Sequence, residues 1–399
     1  MVDDSRPFDV VLFGATGFTG GLTADYLAEH APAELRWALA GRNRSRLEAV
    51  RARLAAQHPQ RPELAELPLL LADATDTAAL AEIAAQTRVV ATTVGPYLQS
   101  GGPLVGACAA AGTDYVDLTG EPEFVDRTYV EHQATAESTG ARLVHCCGFD
   151  SIPHDLGAYF TIGELARETG GVITEPVQMQ GVVRSKANFS GGTFHSAINA
   201  FARARQMKAA ASARRRIEPR PEGRRSRARA GRPGRDGELG YWLLPLPTID
   251  PFVVARSGAA LPSYGPSFTY SHFAGTKTLR YATGGAVGVT GLTLAAQVPP
   301  LRNALLKRVP QGEGPSESRR EKSWFTVDFL ATSGEAQVRT KVSGGDPGYT
   351  ETAKMLAESA LCLAFDDNPA VAGQVTTATA MGDALLARLQ KAGMRFELR

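Results

Sequence analysis

Cysteine is scarce in this 399-residue chain, and the four present (Cys108, Cys146, Cys147 and Cys362) show no metal-ligand spacing. The adjacent pair is poorly disposed to bridge to itself, so reduced thiols are expected. Neither charge sign dominates: 43 Lys and Arg stand against 41 Asp and Glu, a balance that argues neither for nor against a polyanionic partner. The opening MVDDSRPF lacks a basic region followed by an apolar core; no secretory signal is read, and a cytoplasmic location is expected. No uninterrupted apolar run of transmembrane length occurs either. The nearest, 284–301, is broken by glycines, threonines, Gln297 and the Pro299, Pro300 pair. Motifs for flavin or metal are missing, and no metal is expected. The length itself suits two domains and a sizeable core.

What is present begins with DVVLFGATGFTG over residues 9–20. Residues 9–13 form a short β-branched and apolar run of the kind that fills a buried parallel strand, stopping at Gly14. Gly14, Gly17 and Gly20 follow at GxxGxxG spacing before a helical pattern with Leu22, Tyr26 and Leu27 on one face. Glycine tolerates positive φ, and without a Cβ it lets a phosphate approach backbone N–H groups at the positive end of the helix. Gly14, Ala15, Thr16, Gly17, Phe18, Thr19 and Gly20 are therefore the candidate cradle of a dinucleotide. The plain alternative is an ordinary glycine-rich strand-to-helix turn.

The second strand, 36–40, ends in Gly41, Arg42, Asn43. NAD-binding versions of such a fold usually place an acidic residue here for the ribose hydroxyls. A carboxylate would repel a 2′-phosphate, whereas a guanidinium pairs with it, so Arg42 and Asn43 point to NADPH, with Arg46 beside them. A third strand, 67–72, leads to Asp73 and Ala74, which can meet the adenine amino group; the alternative for Asp73 is a helix cap. A fourth strand, 89–94, runs into Val94, Gly95, Pro96 and Tyr97, expected near the nicotinamide ribose. The last strand of the block, 143–146, delivers Gly148, Phe149, Asp150, Ser151, Ile152, Pro153, His154 and Asp155. Two carboxylates, a hydroxyl and an imidazole after a parallel strand end are the densest reactive cluster in the chain.

The ordered series VVLFGATGFTG, ALAGRN, TTVGPY, DYVDLTGE, CCGFDSIPHDLG and FSGGT, with WFTVDF, VSGGDPGYTETAKMLAESALCLAFD and TTATAMGDALLARL further on, resembles the saccharopine dehydrogenase-like oxidoreductases. Within them it is similar to the bacterial trans-acting enoyl reductases that serve polyketide synthases. The resemblance spans nearly the whole chain. It implies an α/β fold: a Rossmann-type doubly wound parallel sheet over 1–150, an α+β substrate domain over 151–376, and a C-terminal helix and short strand over 377–399. It also implies NADPH-dependent reduction of a carbon–carbon double bond in a carrier-bound polyketide or lipid intermediate. Phe149 is followed by Asp150, Ser151, Ile152 and Pro153 where saccharopine reductases carry a shorter glycine-containing turn. No arginines are placed to clamp an amino-acid carboxylate, so saccharopine is a poor substrate candidate. An imine or amino-acid reductase, and a partner protein that binds NADPH without turnover, remain the rivals, because fold alone does not decide function.

Tyr97, Asp150, Ser151 and His154 are the catalytic candidates, with His154 as expected proton donor and Tyr97 as alternative. Ser190, Gly191, Gly192 and Thr193 open a helix over 194–213 whose N-terminus can polarise a thioester carbonyl, or simply be capped by Ser190 or Thr193. Ten arginines then crowd 214–236, read as a mobile surface loop that is either a solvated insertion or a dock for an acidic acyl carrier protein; nucleic acid ranks below that. Segments 241–256 and 268–281 read as strands and turns. The uncharged stretch 284–301 is a buried helix, an acyl channel wall or a peripheral membrane contact. A homodimer is left open.

Overall fold

A computed structural model of the chain describes residues 6–187, 191–308 and 314–399. Six apolar runs in the first third become parallel strands: β1 (Phe8–Phe13), β2 (Trp37–Gly41), β3 (Leu69–Leu71), β4 (Thr87–Thr92), β5 (Asp114–Asp117) and β6 (Arg142–Val144). Every residue of Val10–Phe13 and Trp37–Gly41 is buried, as a strand covered by helices on both faces requires. The spatial order β6-β5-β4-β1-β2-β3 reverses direction between β1 and β4. That reversal opens a crevice at the carboxyl ends of the two strands, because successive helices leave to opposite faces.

The second sheet is mixed. It contains β7 (Val177–Lys186), β8 (Arg225–Ala228), β9 (Gly234–Arg235), β10 (Trp242–Pro245), β11 (Ser267–Thr276), β12 (Trp324–Ser333) and β13 (Ala336–Gly344). On β12 the alternation is regular: Phe325, Val327, Phe329 and Ala331 are buried and their neighbours are not, so one face of the sheet meets the core. Helix Ile152–Glu168 lies on that face so closely that a Cβ on Gly157 would come within 2.4 Å of the Phe329 ring.

The chain then returns to the first sheet. Helix Thr350–Phe365 packs on β1, β4 and β5, and β14 (Gly373–Val375) pairs in parallel with β6, while β15 (Arg395–Leu398) closes the second sheet against β13. The expected boundary at residue 376 is therefore corrected: 350–375 belong to the dinucleotide half. The reason is burial, since Thr350–Phe365 carries twelve buried residues over its length, too many for one face of a peripheral helix.

The arginine-rich segment is also corrected. Arg214 is buried against Asp126 and Glu218, Arg224 donates to the carbonyls of Gly258, Leu261 and Gly265, and Arg225–Ala228 pairs with β11. Backbone pairing and carbonyl acceptors hold a segment whose composition alone reads as unstructured. Eight of its arginines, among them Arg215, Arg216 and Arg229, stay exposed. The helix expected over 194–213 is two, Gly191–Ala202 and Ala204–Ile217, and the end of the segment 241–256, expected as strands and turns, enters helix Asp250–Ala260. Pro251 at the first turn suits a helix start, which the β-branched Val253 and Val254 obscured.

Three helices meet on one carboxylate. Asp155 is fully buried; it accepts from Ser257 Oγ at 2.5 Å, Thr377 Oγ1 at 2.7 Å and the Ala378 amide at 2.9 Å. Burial drives its pKa up, and those three donors work against the rise. Replacing Asp155 with Ala is expected to lower unfolding free energy by about 2–4 kcal/mol, since buried donors lose their acceptor; urea unfolding followed by circular dichroism measures it.

Candidate active site

At the glycine turn, Gly14 has φ +95° and Gly20 packs against it: a Cβ on Gly20 would lie 2.1 Å from Gly14 O. Thr93, just beyond β4, donates to Gly14 O at 3.1 Å, and Gly17 N donates to the same carbonyl at 3.0 Å. Helix Phe18–His30 follows with Gly17 at its cap, no side chain on its first amides and no acid in its first turn. Thus the turn is compact, and its helix N-terminus is left for an anion, which is what a diphosphate needs. Ala15 is buried beneath the turn, and Thr19 O is taken by Thr23 Oγ1 at 2.9 Å.

At the end of β2, Arg42 is exposed. Asn43 caps helix Arg44–Gln57 by accepting from the Arg46 amide at 3.0 Å. Asp73 is exposed and accepts from the amide and hydroxyl of Thr75, which hold its carboxyl below the usual range. It does not cap the next helix; Asp76 does, accepting from Ala79 N at 3.1 Å. Ala74 follows it, half-buried.

The loop Val94–Gly95–Pro96–Tyr97 is held from below. Glu121 accepts from the amides of Tyr97 (3.1 Å) and Leu98 (3.0 Å), and Ser196 Oγ donates to the same carboxylate at 3.0 Å. Tyr97 is turned inward: its hydroxyl donates to Thr92 O at 3.1 Å and accepts from Leu118 N at 3.2 Å. Burial, and after it the charge of Asp117, push its pKa well above the ordinary phenol value. The hydroxyl expected as an alternative proton donor thus braces the loop.

Beside it, Asp117 is fully buried and serves β5 and β6 together. It accepts from Tyr115 Oη (3.0 Å), Thr119 N (3.0 Å) and Cys146 N (3.0 Å), with His145 Nδ1 at 2.7 Å. Cys146 takes φ +64° there, the one non-glycine residue with positive φ among the described residues. Strain of that kind persists only where neighbours over-determine it. It aims Gly148, Phe149 and Asp150 across the crevice. A Cβ on Gly148 would meet Leu118 at 2.8 Å, and the Phe149 amide donates to Thr352 Oγ1 at 3.1 Å.

The two carboxylates of this loop part company. Asp155 turns into the core, whereas Asp150 is half-buried and faces Gly120, where a Cβ would come within 3.1 Å of its Oδ2. His154 is 1% exposed, with Nδ1 3.0 Å from Asp250 Oδ1 but off the line of a hydrogen bond. His272 Nε2 stands 3.7 Å from the other Asp250 oxygen, and Tyr270 Oη lies 3.2 Å from His272 Nδ1. Burial raises the Asp250 carboxyl, but the facing imidazoles of His154 and His272 more than reverse that and hold it well below the usual range. Burial, then repulsion from His154, takes His272 down to about 3, so it stays neutral. Asp150 moves the other way: burial first, then the charge of Asp250, raise it to about 7. The surroundings thus push the two carboxyl groups in opposite directions. His154, Asp250 and His272 are also the one His/Cys/Asp/Glu triple among the described residues whose donor atoms gather within 4.8 Å; Asp250 meets both imidazoles directly.

Ser151 Oγ is buried and finds no partner among the described residues. Ser190 lies outside the described residues. Gly191, Gly192 and Thr193 form the first turn of helix Gly191–Ala202, which Ser196 ties to Glu121.

The family profile of the saccharopine dehydrogenase NADP binding domain matches residues 10–144. A protein of Mycobacterium tuberculosis, provisionally named a trans-acting enoyl reductase, is 40% identical over 100% of this chain and 99% of its own length. The trans-acting enoyl reductases of Mycobacterium bovis and Mycobacterium ulcerans are 37% and 36% identical, each over 99% of this chain and 98% of theirs. This chain belongs to the trans-acting enoyl reductase family. The saccharopine dehydrogenase (L-Glu forming) of Saccharomyces cerevisiae shares its fold, with a TM-score of 0.57, 12% identity, and coverage of 98% of this chain and 100% of that one. The family member described here is thus an NADP-dependent oxidoreductase with a Rossmann-type sheet and a second sheet domain, as its sequence predicts.

Within this family member, sequence reading alone missed Glu121, Asp250 and His272. It also missed the cover over the glycine turn, where Phe18 meets Tyr349 edge to face (4.9 Å) and Arg320 lies 5.5 Å from the Phe18 ring. Each lies far along the chain from the residues it serves, so no local pattern marked it. Gly20→Ala is expected to weaken NADPH binding at least about tenfold, because the intruding methyl must separate the helix from the turn; isothermal calorimetry measures it.

Proposed function

We propose that this enzyme reduces the carbon–carbon double bond of an α,β-unsaturated acyl thioester presented by an acyl carrier partner of a polyketide synthase. The observation that carries the reading is the Asp150 carboxyl beyond the end of β6, half-buried and facing Gly120, where burial and the charge of Asp250 raise its pKa. The glycine turn, Arg42 and the Gly95–Tyr97 backbone would hold NADPH, which supplies the hydride for the β-carbon of the substrate. Asp150 holds the proton that the α-carbon takes up, and Asp250 keeps that proton on Asp150 by making a second negative charge costly. His154 and His272 face Asp250 from within. Phe149, half-buried and backed by the core ring of Phe325 at 5.0 Å, would offer the acyl chain an apolar contact. An acidic carrier would find complementary charge in the exposed arginines of 214–236, with Arg225 and Arg227 alternating outward along β8.

Turnover is expected to fall as pH rises through about 7, because the acid form of Asp150 is then lost. Asp150→Asn removes that alkaline limb and lowers kcat about 100-fold while NADPH affinity holds; pH profiles with a crotonyl thioester measure both. A full-rate Asn variant sinks the assignment. Arg42→Ala is expected to raise the Kd of NADPH at least about tenfold and leave that of NADH unchanged, as read by nucleotide fluorescence; equal losses for both nucleotides remove the role of Arg42.

A further inference from the structure

The helices Leu279–Gln297 and Pro299–Arg308 form an excursion between β11 and β12 that leaves large apolar side chains in water. Tyr281 is 74% exposed, Val287 72% and Leu294 65%, and Val298 and Leu301 continue the patch. From Tyr281 to Leu301 there is no charged residue, and from 251 to 312 there is no Asp or Glu at all. Cations stand at both ends instead: Lys277 and Arg280 before the patch, Arg302 and Lys307 after it. We propose that this hairpin seats the enzyme on an anionic lipid surface, lying in the interface with its apolar residues among the acyl chains and its terminal cations among the headgroups.

Three observations support that occupant. No described helix is long and apolar enough to cross a membrane, so the hairpin can lie in the interface but cannot span it. Cations flanking an apolar helix, with no acid nearby, are complementary to anionic headgroups. A second copy fits worse: the two helices carry flanking cations and no carboxylate, so a like surface brings only like charges against them. The hairpin also connects to the crevice. Helix Leu279–Gln297 packs on helix Gly191–Ala202, Gln297 Nε2 donates to Phe201 O at 2.5 Å, and Ser196 of that helix holds Glu121 beneath the Tyr97 loop. Docking there brings lipid-borne acyl chains to the side of the molecule that holds the reactive groups.

The proposal does not depend on the reaction assigned above, and its test needs no substrate. Full-length protein is sedimented with vesicles of phosphatidylcholine and of phosphatidylcholine with phosphatidylglycerol, at low and high salt. The expected result is binding to the anionic vesicles, cut at least about tenfold in a Val287→Asp, Leu294→Asp double variant and reduced by Lys277→Glu with Arg280→Glu on anionic vesicles alone. Circular dichroism and NADPH affinity serve as the controls for folding. Wild-type protein that binds neither vesicle overturns the proposal, as does a double variant that binds as well as wild type. A dimer in light scattering that the double variant splits, without vesicle binding, assigns the face to a second copy and overturns it equally.

Discussion

A carboxylate taken out of water must be met by donors, must be paired with a cation, or must keep its proton. The seam between the two sheets of this enzyme is organised by that constraint. Asp117 is met by a hydroxyl, two amides and an imidazole, and thereby fixes the ends of β5 and β6 against each other. Asp155 is met by two hydroxyls and an amide from separate helices, and fixes the second domain to the returning chain. Asp250 faces two imidazoles. Asp150 is met by none of these, so its proton stays to about pH 7. Among the described residues, Asp150 is the one of these four carboxylates that no hydroxyl, amide or imidazole meets.

That arrangement depends on the topology. The crevice between β1 and β4 exists because the strand order reverses there, and the glycine turn lies on one side of it with the Tyr97 loop on the other. Helix Ile152–Glu168 carries the chain from β6 straight onto the second sheet, so Asp150 and His154 sit where the halves meet. Helix Thr350–Phe365 then returns to cover the first sheet and holds Phe149 through Thr352. Neither half makes the site alone.

Local patterns were readable where one physical demand ruled the residues. Runs such as VVLF and WALA state buried strands, and Gly14 and Gly20 state a turn in which no side chain fits. Reading failed where two demands competed. In 250–260 the β-branched Val253 and Val254 look like strand, yet Pro251 and the position against β11 make it helix. In 214–236 composition says solvated loop, but strand pairing and carbonyl acceptors bring part of it into the sheet. The intrinsic basicity of His154 suits a proton donor, but its burial, with Asp150 left half-buried, is visible only in the fold.

From the order of residues alone follow the dinucleotide-binding half, the NADP preference expected from Arg42 in place of an acid, the family, and the loop that carries Asp150 and His154. Those follow from local chemistry: strand hydrophobicity, glycine geometry and short ordered motifs. Tertiary structure alone decided which carboxylate is ionised, which tyrosine is a brace, and that Asp250 and His272 stand beside His154. A protonation state is a property of neighbours and of exclusion from water, and residues a hundred positions apart become neighbours only when the chain has folded.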